Sequence, residues 1–284
     1  MSNLAQRIIA GVLGAAMLIN AIYWSQWSFF LVFAFIMSFC LWEFYTLLEK
    51  AGHKVTKKAG LMVGNIIFFG VFFVQKMQEN EELLLCVVLV AAFSLFVLKL
   101  YDKDDREPFL SLAFTVLGIL YVAIPFGLLL EVSYLSDIVG RDKQRVIFGE
   151  VYKYQVPLGI LFCLWASDSG AYFVGRKLGK TKLFERISPK KTWEGLAGGM
   201  FFSQMVAWGL AVYFTSLEAW KWFAISTIMV IVGTYGDLVE SMFKRSLAIK
   251  DSGSVIPGHG GFLDRFDGLL VAMPFVALFL KLFT

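Results

Sequence analysis

Three aspartates near the C-terminus carry the clearest chemistry in this sequence. Asp264 and Asp267, in GGFLDRFDG, are spaced i, i+3, so on a helix both carboxylates share one face. Asp237 stands in GTYGDLVESMFKR, with Glu240 three residues on and Lys244 and Arg245 a turn later. Carboxylates at the ends of two apolar runs offer what a hard divalent cation requires: oxygen ligands, few in number, with room for water and phosphate oxygens. Magnesium is the natural candidate. Acids at a helix N-terminus, and acids followed by bases at a membrane boundary, also have plain structural uses. What favours chemistry is the company these acids keep. Lys250, His259 and Arg265 surround them, and KDSGSVIPGHGG (250–261) has five Gly and Pro among twelve residues. That content opposes regular helix and lets backbone amides approach a ligand.

A second block, GRKLGKTKLFERISPKKTWEG (175–195), holds seven Lys and Arg. GRKLGKT is one residue short of the P-loop pattern G-x-x-x-x-G-K-[ST] and follows an apolar run instead of a strand, so a P-loop fold is rejected. In SPKKTWEG, Ser188–Pro189 is expected to fix a turn that presents Lys190, Lys191 and Thr192 beside the next apolar run. Cations, a hydroxyl and free backbone N–H groups there suit an anion. Asp168, in LWASDSGAYFVG, lies inside an apolar run. A carboxylate at the centre of a membrane helix costs about 2.5–3.5 kcal/mol on insertion scales, so it tends to face a polar interior that serves ions or substrate. Its bland alternative is a hydrogen bond to Ser167, Ser169 or another helix.

The elements that must position these groups are written in the composition. Of 284 residues, 58% are hydrophobic and 17% charged, against about 25% charged in ordinary soluble domains. Apolar runs recur at 7–24, 27–48, 59–75, 82–100, 108–130, 156–174, 194–214, 219–238 and 268–283, each long enough to cross a hydrocarbon core of about 30 Å as a helix. The runs are continuous instead of alternating, which argues against a barrel. The expected fold is therefore all-α, a polytopic transmembrane bundle of about nine spans. The run at 59–75, interrupted by Gly64, Asn65 and Gly70, is the weakest. With nine spans, 19 of the 26 Lys and Arg fall on the side of the N-terminus. The positive-inside rule then makes the N-terminus cytoplasmic, with loops 175–193 and 239–267 facing the compartment that holds nucleotides. Residues 1–150 form about five N-terminal spans, and 151–284 form the region that carries the chemistry. Cys40, Cys86 and Cys163 sit in apolar runs with no CxxC pairing and serve as small hydrophobes.

The segment SMFKRSLAIKDSGSVIPGHGGFLDRFD, Ser241 to Asp267, resembles the signature of the CDP-diacylglycerol synthases, also called phosphatidate cytidylyltransferases. That signature is S-x-x-K-R, four residues, K-D, then a small-residue loop ending in P-x-H-G-G-x-x-D-R-x-D, and every fixed position is present. SPKKTWEG, and Asp168 with the glycines behind it, resemble the other blocks of the family, so motif coverage runs from about 168 to 268. The first 150 residues match only as hydrophobic spans. The resemblance implies that CTP and phosphatidic acid react to give CDP-diacylglycerol and pyrophosphate in phospholipid biosynthesis. It also implies a magnesium site with Asp237, Asp264 and Asp267 as ligands, and potassium as a second ion. Ser241, Lys244, Arg245, Lys250, Asp251, His259 and Arg265 complete the signature. Lys250 and His259 are expected to take part in the reaction, and Ser241, Lys244, Arg245 and Arg265 to hold substrate together with Asp168, Ser188, Lys190, Lys191 and Thr192. Membrane lipids are the expected surroundings, nothing calls for nucleic acid, and a homodimer is compatible with the sequence. A short chain without organelle signals suits a bacterial cytoplasmic (inner) membrane. Two alternatives stay open: a CTP-dependent polyprenol or phytol kinase, which would release CDP instead of pyrophosphate, and a transporter, which would consume no nucleotide.

Overall fold

The computed structural model describes residues 3–77, 81–134, 152–249 and 260–283. They form α1 (Asn3–Trp24), α2 (Gln26–Lys50), α3 (Lys57–Met77), α4 (Glu81–Leu100), α5 (Pro108–Gly118) and α6 (Ile124–Glu131), then α7 (Gln155–Leu178), α8 (Trp193–Tyr213), α9 (Ala219–Ser246) and α10 (Leu263–Phe283). A five-residue π-helical stretch, Ile119–Ala123, joins α5 to α6, so that Pro108–Glu131 is one continuous span. Pro125 follows this stretch, and a wider turn is how a helix accommodates a residue that has no N–H to give and a ring that crowds the preceding turn. Eight of the helical stretches are long and apolar enough to cross a membrane, and α1 adds a shorter apolar helix, Ile9–Trp24. The chain is an integral membrane protein of polytopic helical class.

Helices extend beyond the apolar runs wherever polar residues continue the turn. α7 runs on to Leu178, α9 to Ser246, and α10 begins at Leu263 instead of 268. The expected loop 239–267 is thus helical at both ends, and Asp237, Glu240, Ser241, Lys244 and Arg245 all ride on α9. Ser188–Pro189 is not a turn. Ser188–Thr192 is a strand, β2, paired antiparallel with β1 (Lys182–Phe184), and the turn lies between them. Pro189 is exposed, which suits an edge strand because proline has no ladder hydrogen to donate.

The chain divides into two compact units, residues 1–131 with 247–265, and residues 132–246 with 266–284. In the first, the weak run 59–75 is an unbroken helix whose glycines make room for neighbours. A Cβ on Gly60 would lie 2.5 Å from the Tyr45 hydroxyl, and one on Gly64 2.7 Å from Leu41. Tyr45 donates to the Thr115 carbonyl at 2.7 Å, and Ser38 to the Asn65 side chain at 3.1 Å. Phe30 stacks on Phe72 and Phe68. α4 is exposed along most of its apolar length, the condition of a helix facing lipid.

The second unit is built on α7, α8 and α9 with the hairpin β1–β2 and most of α10. Across its interior Ser226 donates to Ser203 (2.8 Å), and Ser203 to the Cys163 carbonyl (2.9 Å). Gln204 reaches Thr227 at 2.8 Å. Such pairs satisfy polar groups that hydrocarbon cannot.

Candidate active site

Backbone contact sets the frame of the site in the second unit. Gly195, Gly198 and Gly199 of α8 lie against α7, where a Cβ on Gly198 would meet Val174 at 2.4 Å and one on Gly199 the Ser167 carbonyl at 2.9 Å. Small residues at this spacing let two membrane helices approach closely. The contact holds Asp168, the neighbour of Ser167, ten residues before the end of α7, about 15 Å at the rise of a helix. α9 and α10 meet in the same way. A Cβ on Gly236 would stand 2.7 Å from the Asp267 carbonyl, and one on Gly268 3.1 Å from the Gly233 carbonyl. Asp237 and Asp267 are therefore each the sequence neighbour of a glycine at this crossing.

The side chains converge accordingly. Asp267 lies beside Glu240 and within electrostatic reach of Asp237 and Asp168. Carboxylates have no hydrogen to give each other, so such a group needs a proton or a cation in its midst. Lys191, from β2, supplies one cation: its Nζ lies 2.7 Å from Asp237 Oδ2 and donates to the Thr234 carbonyl at 3.0 Å. Ser241 donates to Asp237 Oδ1 at 3.3 Å, and Lys244 to the buried Glu240 at 3.3 Å. Asp168, Lys191, Asp237, Ser241, Lys244 and Asp267 thus form one polar group within a single unit, with Glu240 among them.

Other expected residues have different places. Thr192 is buried, and its hydroxyl caps α8 by accepting from the Gly195 N–H at 3.1 Å. The backbone amides of Lys180 and Thr181 are also engaged, by the Glu194 carboxylate at 3.0 to 3.2 Å. The hydroxyl and these amides therefore serve the fold. Ser188 is half-buried at the start of β2, while Lys190, Arg245 and Arg265 are exposed. In the first unit, Asp264 sits in the first turn of α10 and accepts from the Gly261 N–H at 3.2 Å. Gly260 before it adopts φ +83°, a left-handed conformation natural to glycine. Lys250, Asp251 and His259 lie outside the described residues.

For a divalent cation the donors are right in kind, since carboxylates are the ligands such an ion selects. Among the described residues no three His, Cys, Asp or Glu are drawn tightly enough together to hold a metal by themselves. Two acids escaped the sequence reading of the site. Glu194 is the helix-start acid that fastens the hairpin. Glu43 is buried in α2, where its Oε2 accepts from the Leu263 N–H at 2.9 Å. Its signal was available, a lone acid in the apolar stretch SFCLWEFYTLL.

Comparison with known proteins covers the whole chain. The model of a cytidylyltransferase family matches residues 5–283. A phosphatidate cytidylyltransferase of Bacillus subtilis (strain 168) is 31% identical over 293 aligned positions spanning all of both chains. One from Staphylococcus saprophyticus is 32% identical over 76% of this chain and 78% of its own, and one from Staphylococcus aureus (strain COL) 35% identical over 63% and 62%.

Proposed function

We propose, from the premise that the chain belongs to the cytidylyltransferase family, that it transfers the cytidylyl group of CTP to phosphatidic acid, giving CDP-diacylglycerol and pyrophosphate. The observation that carries this reading is the ion pair of Lys191 with Asp237. It joins the basic hairpin, suited to phosphates, to the acids of α9 and α10, suited to a cation. The names of the relatives supply the substrates.

In the proposed reaction an anionic oxygen of phosphatidate attacks the α-phosphorus of CTP. The bond from that phosphorus to the bridging oxygen breaks, and pyrophosphate leaves with the electron pair. Nucleophile and nucleotide are both anions, so the protein must neutralise charge and align them. Lys190, Lys191, Lys244, Arg245 and Arg265 are the cations available for phosphate oxygens, and Lys191 can exchange its carboxylate partner for one of them. Asp237, Asp264 and Asp267 are the residues that would hold magnesium, which when bound supplies a Lewis acid for the reacting phosphates. The close crossing at Gly236 and Gly268 keeps the first and last of these acids at a fixed separation. No covalent intermediate on the enzyme is required. The excess of Lys and Arg on one side supports assigning this work to the cytoplasmic face of a bacterial inner membrane, where CTP is found.

The test uses purified protein in detergent with phosphatidic acid, magnesium and CTP labelled at the α- or the γ-phosphate. The reading requires α-label in the organic phase and γ-label released as pyrophosphate. Entry of γ-label into a polyprenol or phytol would make the protein a kinase, and an isolable cytidylyl-enzyme would overturn direct displacement.

A further inference from the structure

We infer that Glu43 is a positioning residue for Asp264, holding the start of α10 in place from α2 through a hydrogen bond. The inference rests on the reading of Asp264 as a metal ligand. Glu43 is 4% exposed in the midst of an apolar helix, and its Oε2 binds the N–H of Leu263, a residue 220 positions away, at 2.9 Å. Leu263 is the first residue of α10 and immediately precedes Asp264. Phe262, before it, has no side-chain acceptor, so the helix lacks an ordinary N-cap. The acceptor comes from another helix instead.

The grip has two points. Phe39 lies one turn before Glu43 on the same face of α2, and its ring packs on that of Phe262 at 5.4 Å. α2 thus holds Phe262 by packing and Leu263 by hydrogen bond, while Asp264 itself accepts from Gly261. Asp264 also lies within electrostatic reach of Glu43. Among the described residues Glu43 Oε1 has no hydrogen-bond partner. A buried carboxyl with one oxygen left without a partner, set close to another acid, is a costly choice for stability alone. It is intelligible if the bond fixes where the Asp264 carboxylate points.

The experiment compares the full-length wild type with Glu43→Met, which fills a similar volume without a strong acceptor, and Glu43→Gln, which keeps an acceptor oxygen. Mn2+ binding is followed by electron paramagnetic resonance, and turnover is measured beside it. Glu43→Met is expected to weaken Mn2+ binding and lower kcat by about tenfold each, the scale of one buried hydrogen bond lost, with KM for CTP within about twofold. Glu43→Gln is expected to stay within about twofold of wild type throughout. Wild-type Mn2+ affinity in a folded Glu43→Met protein overturns the role of Glu43 while leaving the metal site standing. Equal damage in Glu43→Gln overturns the hydrogen bond as its means. If the wild type binds no Mn2+ saturably, or Asp264→Asn binds it as tightly as wild type, the reading of Asp264 fails and this inference falls with it.

Discussion

Two sets of glycines, one in each unit, do different work. In the first, Gly60 and Gly118 lie on either side of Tyr45, where a Cβ on Gly60 would come 2.5 Å from the phenol oxygen and one on Gly118 2.4 Å from the ring. They make a recess for a side chain. In the second, Gly199 lies against the Ser167 carbonyl, Gly236 against the Asp267 carbonyl and Gly268 against the Gly233 carbonyl. There they let backbone meet backbone. A recess around a ring can readjust when one atom is lost, because side chains rotate. Two helix backbones in contact have no such freedom, so anything inserted between them moves whole helices. Asp237 and Asp267 are attached to the second kind of contact, which gives them the more rigid support.

The comparison is tested most severely at the acids themselves. Asp267→Asn keeps the shape and removes the charge, so turnover should fall by about two to three orders of magnitude while the melting temperature in detergent stays near wild type. Wild-type turnover would remove Asp267 from the reaction.

Gly236→Ala should come next, since its Cβ would press on the Asp267 carbonyl. The expected cost is about 1–3 kcal/mol of stability and a fall in kcat of tenfold or more, on the order of a one-ångström misplacement. Gly209, in α8 of the same unit, has nothing within 4 Å of the place a Cβ would take. Gly209→Ala should leave activity unchanged and stabilise the helix by up to about 1 kcal/mol. Equal behaviour of the two variants would sink the idea that backbone contact supports the site.

Tyr45→Phe probes the recess of the first unit. It removes the donor to the Thr115 carbonyl and should cost about 1 kcal/mol, with turnover unaltered. A loss of turnover without a loss of stability would mean that the two kinds of packing do not divide support from chemistry.

The smallest effect concerns Asp105, between α4 and α5. Its ion pair with Lys99 at 2.5 Å and a hydrogen bond from Ser111 hold its carboxyl down at about 2. A carboxyl lowered by folding stabilises the protein fully above its unfolded value of about 3.9 and loses that contribution as pH falls toward the folded value. Asp105→Asn should therefore melt slightly below wild type at pH 7, and the gap should narrow between pH 4 and pH 2. A gap independent of pH would mean that packing, not charge, is what Asp105 supplies.

Much of this molecule is contiguous information. Runs of apolar residues specify spans because each helix satisfies its own backbone, and the helix ends ran past the predicted limits only where polar residues such as Asp237 to Arg245 continued the turn. The i, i+3 spacing of Asp264 and Asp267, and the acids of GTYGDLVES, are likewise local and were visible before any fold was known. The sequence also supplied the glycines of WEGLAGG and GTYGD, but not what they touch.

Tertiary structure alone decided the partners. That Lys191 meets Asp237, that Gly236 rests on the Asp267 carbonyl, and that Glu43 holds Leu263 from 220 residues away all depend on which helices pack and at what rotation. Hydropathy cannot encode this, because every span is apolar to lipid in much the same way. The choice among helix faces is made by close contacts and by buried polar groups that must find one another once water is excluded.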